Sequence, residues 1–322
     1  MTGTQNTAIG FQALQSNTTG IYNTATGIGA LQYNTTGTQN TANGPFALQN
    51  NTTGGSNTAT GITALQSNTT GYNNTANGAF DLNNNTTGYS NTATGTYALQ
   101  FNTTGYQNTA LGLNSLYLNT TGINNTASGF NSLQSNTTGF QNTAAGSQAL
   151  QNNTTGFYNT ALGTYALQSN TTGIYNTSSG SYALAANTTG SNNTATGPQA
   201  LQANTTGYLN TAIGSSSLID NTTGSQNTAL GNNAGSNLTT GSNNVAIGQN
   251  TLFASPTANN QLQIGAGISG DLALGTLAVK TITNSTTAFQ VQNAAGTPVL
   301  TVDTTTGAQQ TIYYWASMLA II

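Results

Sequence analysis

The hydrophobic and polar residues of this chain of 322 residues follow a pattern that repeats every 17 residues. The pentad Asn-Thr-Ala-x-Gly begins at Asn6 and recurs at that spacing to Asn227, with Ser178 replacing Ala once. These fourteen units contain no insertion or deletion, and Asn244 opens a fifteenth. The consensus is N-T-A-x-G-x-x-A-L-x-x-N-T-T-G-x-x, numbered here as repeat positions one to seventeen. Because disordered loops tolerate insertions at little cost, the unbroken period predicts an ordered stack of coils.

The consensus predicts an all-β fold, a parallel β-solenoid of 17-residue coils. Gly at positions five and fifteen suits turns, which leaves two short extended segments in each unit. Small Ala at position three and Leu at position nine are expected to face a narrow lumen. The predicted core ladder is the Leu column, which begins Leu14, Leu31, Leu48, Leu65, Leu82, Leu99 and Leu116.

Asn recurs at positions one and twelve and predicts amide ladders, in which each side chain bonds to its copy in the next coil. Position twelve also begins a formal N-glycosylation sequon. A glycan on every layer would crowd its neighbours at a spacing of about 4.8 Å, which favours the ladder. The predicted Asn ladder begins Asn17, Asn34, Asn51 and Asn68.

Position sixteen is apolar or aromatic in nine of the first fourteen units and predicts a contact stripe along one edge of the solenoid. The alternative is a corner residue that its neighbours half cover. The thin core favours lateral association of rods through such a stripe. The predicted stripe contains Tyr72, Tyr89, Tyr106, Phe140, Phe157 and Tyr208, together with Ile21, Ile123 and Ile174.

Charged residues make up only 2% of the chain, which has no His, Cys, Glu or Arg. Lys280 is the single cation, and the carboxylates are Asp81, Asp220, Asp271 and Asp303. These few groups argue against enzymatic catalysis, a metal site, a cofactor and nucleic-acid binding. Like charges stacked in every coil would repel, so the solenoid itself explains their scarcity. Asp81 and Asp220 are predicted to be isolated substitutions that face solvent.

Three pentads, Asn6–Gly10, Asn210–Gly214 and Asn244–Gly248, resemble the N-x-A-I-G repeats in the head domains of trimeric autotransporter adhesins. The wider pattern with A-L-x-x-N-T-T-G is similar to repeat arrays in bacterial surface proteins and phage tail-fibre-like proteins. This resemblance covers about three quarters of the chain, although the period here is longer than is usual for the adhesin heads. It implies a left-handed parallel β-roll, trimerisation and a role in attachment, and it implies no catalytic residues.

The repeat divides the chain into a solenoid shaft (residues 1–248), a β-rich cap or connector (249–310) and an apolar tail (311–322). The cap is predicted to contain a strand at 260–265 and a hairpin that pairs 288–292 with 298–302. The eleven apolar residues of the tail are too few for a bilayer, which needs about 20. We therefore predict no transmembrane span, and favour a buried strand or a contact to another subunit over a membrane-surface anchor.

Together these features predict a non-enzymatic structural fibre or adhesin-type protein, a rigid shaft for attachment on a bacterial surface or in a phage tail fibre. One alternative is a self-assembling homopolymeric filament, and another is an ice-binding solenoid with regular Thr rows. The expected partners are further copies of the chain, in a trimer or a filament, and a host-cell surface or glycan. The expected location is extracellular, on a cell surface or on a virion.

Overall fold

The computed structural model describes residues 3–279, 289–292 and 298–302, and the regular secondary structure of these residues is all β. Fifteen coils of 17 residues follow one another from residue 6 to residue 260, which confirms the predicted β-solenoid. Each coil has one strand of three residues, at positions two to four. The strands are β1 Thr7–Ile9, β2 Thr24–Thr26, β3 Thr41–Asn43, β4 Thr58–Thr60, β5 Thr75–Asn77, β6 Thr92–Thr94, β7 Thr109–Leu111, β8 Thr126–Ser128, β9 Thr143–Ala145, β10 Thr160–Leu162, β11 Thr177–Ser179, β12 Thr194–Thr196, β13 Thr211–Ile213, β14 Thr228–Leu230 and β15 Val245–Ile247.

Consecutive strands pair in parallel with each residue opposite its own copy in the next coil. Thr7 pairs with Thr24 and Ala8 with Ala25, and the same register continues to β15. The period of the sequence is therefore the period of the sheet, and identical side chains form columns along the shaft.

The second extended segment predicted for each coil is wrong, because positions six to eleven form turns instead. In each of the first fourteen coils, positions seven, nine and seventeen have left-handed backbone, as at Phe46 (φ 59°), Leu48 (φ 50°) and Ser56 (φ 56°). An L residue in this region costs roughly 1–2 kcal/mol, so the stacked neighbours must hold it there. Backbone hydrogen bonds to the next coil do so, for example Leu48 N–H to Ala64 O at 3.0 Å.

Gly is required at positions five and fifteen for two different reasons. Gly10 at position five has φ 131°, which L side chains rarely adopt. Gly20 at position fifteen has no such backbone, but a Cβ there would overlap Gly37 O in the next coil and lie 2.8 Å from Asn34 Nδ2. Both glycines therefore belong to corners, as the pattern predicts, and position fifteen needs the close approach.

The core is a single file of small and medium side chains. The Leu column at position nine is fully buried from Leu31 to Leu218, and Leu14 in the first coil is 6% exposed. The Ala columns at positions three and eight pack against it. Ser178, which replaces Ala at position three, is buried too and donates its hydroxyl to Ala183 O at 2.8 Å.

The fifteenth coil, residues 244–260, extends the shaft past the predicted boundary at residue 248. β16 (Gln261–Ile264) then pairs in parallel with β15, where a strand is predicted, and antiparallel with β17 (Ile268–Asp271). β17 pairs antiparallel with β18 (Thr276–Val279). These three strands cover the last parallel edge of the sheet.

The predicted hairpin is confirmed, because β19 (Phe289–Gln292) pairs antiparallel with β20 (Pro298–Val302). The apolar tail, Lys280 and Asp303 lie outside the described residues. The part of the chain that the structure describes contains no helix with the length and apolarity of a membrane span.

Candidate functional site

The Asn column at position twelve forms a continuous ladder of side-chain amides inside the shaft. Asn34 Nδ2 donates to Asn17 Oδ1 at 2.9 Å, and Asn51 Nδ2 donates to Asn34 Oδ1 at 2.7 Å. Asn68 continues the ladder, donating to Asn51 Oδ1 at 2.8 Å. Each amide also donates to the position-fifteen carbonyl of its own coil, as Asn34 does to Gly37 O at 3.1 Å. The column is buried, so the sequon asparagines are not presented to solvent.

The Asn column at position one closes each coil on itself. Asn40 Nδ2 donates to Gly54 O of its own coil at 2.8 Å, and its backbone N–H donates to Asn23 Oδ1 at 3.0 Å. The backbone at the start of each coil is thus bonded to the coil before it, and the end of the coil is bonded back to its beginning.

A third ladder, at position ten, is absent from the sequence-based prediction. Gln49 Nε2 donates to Gln32 Oε1 and Gln66 Nε2 donates to Gln49 Oε1, both at 2.9 Å. Gln151 repeats this bond to Gln134 at 2.9 Å. The recurrence of Gln after Ala-Leu is the sequence signal for this ladder.

The fourteenth coil departs from both the Leu column and the Asn column. Gly235 occupies position nine and Leu238 occupies position twelve, where Leu238 is fully buried and restores an aliphatic group to the core. The Oδ1 of Asn221, in the coil before, has no hydrogen-bond partner because its next rung is a leucine. Phe253 of the fifteenth coil packs beside Gly235 and ends the core.

The position-sixteen stripe is a stack of rings over part of its length. Tyr89 stacks on Tyr72 with ring centroids 4.9 Å apart and on Tyr106 at 4.6 Å, with ring planes within 6°. Phe140 and Phe157 stack at 4.7 Å. The stacked rings cover one another's faces, so mainly their edges meet solvent. The column is therefore both a stripe along one edge and a row of half-covered corner residues.

Tyr208 belongs to the same column but stands alone. Serines occupy position sixteen in the coils on either side, Ser191 and Ser225. Tyr208 is 50% exposed and is thus more open to solvent than Tyr89 and Tyr106, which lie inside the stack. The predicted stripe is thus continuous only from Tyr72 to Ile174, over seven coils.

Further apolar and aromatic residues lie in some of the coils at positions six, seven and seventeen, which the sequence-based prediction does not include. Tyr165 stacks on Tyr182 at 4.8 Å, and Tyr158 stacks on Tyr175 at 4.9 Å. Phe11 at position six is 70% exposed, more than any other aromatic residue whose side chain the structure describes. The shaft therefore has more than one apolar edge.

The two Thr residues of N-T-T-G have different environments. The position-thirteen hydroxyl donates to the next coil, as Thr35 Oγ1 does to Thr52 O at 3.0 Å. The position-fourteen residue is exposed in each of the first fourteen coils, from Thr19 to Thr240. An uncharged column of Thr side chains thus runs along the surface of the shaft.

Asp81 is buried, so the prediction that it faces solvent is wrong. It stands at position eight, in the Ala column of the core. Its Oδ1 accepts a hydrogen bond from the Ala98 N–H at 2.9 Å. In other coils the equivalent N–H donates to the position-five carbonyl of its own coil, as Ala149 N–H does to Gly146 O at 3.3 Å. Its Oδ2 has no partner. Burial raises the pKa of the Asp81 carboxyl to about 6, although backbone N–H donors partly oppose this.

The other described carboxylates lie at the surface and apart from each other. Asp220 is exposed at position eleven, not at the repeat position of Asp81. Asp271 accepts the N–H groups of Ala273 and Leu274 in the turn after β17. Among the described residues no three His, Cys, Asp or Glu side chains come together as a metal site would require.

A concavity of about 370 Å³ lies between the last coil and the β16–β18 sheet. Phe253, Gln263 and Leu277 line it, and Asp271 is the one titratable group among its lining residues. The arrangement offers a shallow concave surface lined by both apolar and polar side chains.

Comparisons with known proteins return no relatives. Neither a protein-family model, nor a curated protein, nor a solved structure matches this chain.

Proposed function

We propose that the chain is a non-enzymatic structural shaft that holds an attachment surface away from the body to which it is anchored. The observation that carries the proposal is the unbroken register of fifteen coils, held by amide ladders and a buried Leu column. At a strand spacing of about 4.8 Å these coils give a rod of roughly 70 Å. Stiffness along one axis is the property that such a rod contributes.

The attachment surface is assigned to the aromatic run from Tyr72 to Ile174. Its residues are apolar, continuous over seven coils and free of charge, which suits a neutral partner such as a glycan or a second copy of the chain. We infer that the location is extracellular, on a bacterial surface or in a phage tail fibre, in line with the resemblance to adhesin and tail-fibre repeats.

The test is binding of the labelled full chain to bacterial and host cell surfaces and to an array of neutral glycans. A variant with Tyr72→Ser, Tyr89→Ser and Tyr106→Ser is expected to lose most of the binding. Serine is chosen because it occurs naturally at position sixteen, as Ser191. A matched control with Phe11→Ser and Ile28→Ser removes exposed apolar residues from another edge and is expected to bind normally. Equal binding by both variants, or by neither, would contradict the assignment.

Self-association is tested in the same preparations by sedimentation. A trimer or dimer that dissociates in the triple Tyr variant supports lateral association through the stripe. A filament assembled end to end is less well supported, because antiparallel β16–β18 cover the last parallel edge. Fibres in electron micrographs of the purified chain would favour the filament.

Ice binding is a second candidate, favoured by the exposed Thr column at position fourteen. Hydroxyl and methyl groups repeated every ~4.8 Å present a regular, uncharged array. Thermal hysteresis or ice shaping by micromolar protein would support this function, and its loss on replacing four central Thr residues of the column by Lys would assign it to that column. Normal ice growth would exclude it.

A further inference from the structure

Seven of the twelve tyrosines of the shaft stack on a tyrosine of a neighbouring coil, in three different columns. Tyr89 lies between Tyr72 and Tyr106, with centroid distances of 4.9 and 4.6 Å. The other pairs are Tyr158 with Tyr175 at position seventeen, 4.9 Å, and Tyr165 with Tyr182 at position seven, 4.8 Å. The exact register of the coils, not the rings themselves, fixes each phenol beside its neighbour.

We propose that these stacked pairs are sites of oxidative cross-linking, at which a peroxidase with hydrogen peroxide joins successive coils through dityrosine. Phenols held next to each other react as an intramolecular pair, which raises the rate over that of free encounter. Most of these rings reach solvent, since Tyr72, Tyr158, Tyr175 and Tyr182 are each at least 40% exposed.

Tyrosine has no competitor for oxidation in the shaft. The chain has no Cys, and its two Met and one Trp residues are Met1, Met318 and Trp315, none of which lies in the repeats. Cys and Met are the side chains that ordinarily take up oxidising equivalents. An oxidant that reaches the shaft therefore meets phenols first.

The reaction balances with peroxide as the only co-reactant. Each phenol of a pair loses one electron and one proton to become a phenoxyl radical. The two radicals join by a carbon–carbon bond at the positions ortho to the oxygens, and the displaced ring hydrogens return to those oxygens. The product has lost two hydrogens, and hydrogen peroxide has accepted two electrons and two protons to give two molecules of water.

The consequence is a covalent link between coils in a chain that contains no disulfide. A bond between Tyr72 and Tyr89 ties the fourth coil to the fifth, and a bond between Tyr89 and Tyr106 ties the fifth to the sixth. Asp81, the one buried carboxylate of the shaft, lies in the fifth coil, the middle one of the three coils that these bonds would join.

The experiment treats the full chain with horseradish peroxidase and hydrogen peroxide, isolates the monomer and measures dityrosine fluorescence and intact mass. Thermolysin digestion and mass spectrometry then identify the linked peptides. We expect links between Tyr72 and Tyr89, Tyr89 and Tyr106, Tyr158 and Tyr175, and Tyr165 and Tyr182, each with the loss of two hydrogens.

The variant Tyr89→Phe keeps the ring stack but removes the phenol shared by two pairs. Both links to residue 89 are expected to disappear, with no new link between Tyr72 and Tyr106, while the Tyr158–Tyr175 link keeps its yield as an internal control for folding. Tyr208→Phe is the matched control, because serines flank Tyr208, and its link pattern should equal that of the parent. Links scattered among unstacked tyrosines, or yields unchanged when the chain is unfolded in urea, would overturn the proposal.

Discussion

Asp81 makes the stability of the shaft depend on pH in a direction opposite to that of most carboxylates. Its carboxyl is buried, one oxygen has no partner, and burial raises its pKa from 3.8 to about 6. The folded chain therefore binds a proton more tightly than the unfolded chain does. Stability is highest when both forms are protonated, below about pH 4, and decreases as the pH rises through about 6.

The size of the effect follows from the shift of about two pKa units. One unit corresponds to 1.36 kcal/mol, so the charged carboxylate costs about 3 kcal/mol above pH 7 relative to the neutral acid. Serines at the same repeat position indicate how the neutral acid would bond. Ser115 and Ser132 donate their hydroxyls to the position-five carbonyl of their own coil, both at 3.0 Å. A protonated Asp81 Oδ2 is expected to donate to Gly78 O in the same way.

The assay compares the free energy of unfolding of the parent chain with that of Asp81→Ser. Urea unfolding is monitored by circular dichroism at several pH values between 4 and 8. The variant should be more stable at pH 8 by about 3 kcal/mol, and the difference should shrink towards pH 4. Asp220→Asn serves as the control, because Asp220 is exposed, and its difference from the parent should not depend on pH in this way. A stability difference between parent and Asp81→Ser that stays constant over this range would refute the reasoning.

Three further predictions concern one central coil and share the exposed Thr121→Ala as a control, which should change the free energy of unfolding by no more than about 0.5 kcal/mol. Asn119→Ala removes the bond that Asn119 donates to Asn102, the bond that it accepts from Asn136 and the bond that it donates to Gly122 O, with lengths of 2.8 to 3.1 Å, and should destabilise the chain by about 3 kcal/mol in urea unfolding. Leu116→Ala opens a cavity in a single-file core and should cost about 2–5 kcal/mol, whereas Leu116→Met should cost less than about 1.5 kcal/mol. Gly122→Ala places a Cβ against the backbone and an amide of the next coil and should speed hydrogen exchange in both coils, although the lower entropy of the unfolded variant would by itself slow it.

The period of the sequence predicts which residues stack on one another, and it therefore predicts the ladders and the core column of the fold. Identical residues separated by 17 positions must form columns, so the Leu column and the Asn ladder follow from Leu14 and Asn17 and their repeats. The period does not fix the backbone between columns. Leu31 at φ 51° is a turn residue, yet a buried Leu is equally compatible with a strand, and so the second extended segment is wrong.

For Asp81, the repeat position predicts burial better than the residue type does. A lone Asp on a polar repeat reads as a surface substitution. Its position, eight, is otherwise filled by Ala, Ser or a single Thr, all small residues that the structure places inward. In a solenoid, the other residues of a column therefore predict burial better than the residue type does. The same rule correctly predicts that Asp220, at the variable position eleven, is exposed.

The central claim is that successive 17-residue units stack as coils at the spacing of paired strands, and electron paramagnetic resonance distances between spin labels test it directly. The absence of native cysteine lets two labels be attached at exposed position fourteen without background. Thr36→Cys with Thr121→Cys spans five coils, and Thr36→Cys with Thr206→Cys spans ten. The solenoid predicts narrow distributions near about 24 Å and about 48 Å, in the ratio of the coil counts. Broad distributions, or a distance that does not double with the number of coils, would contradict it.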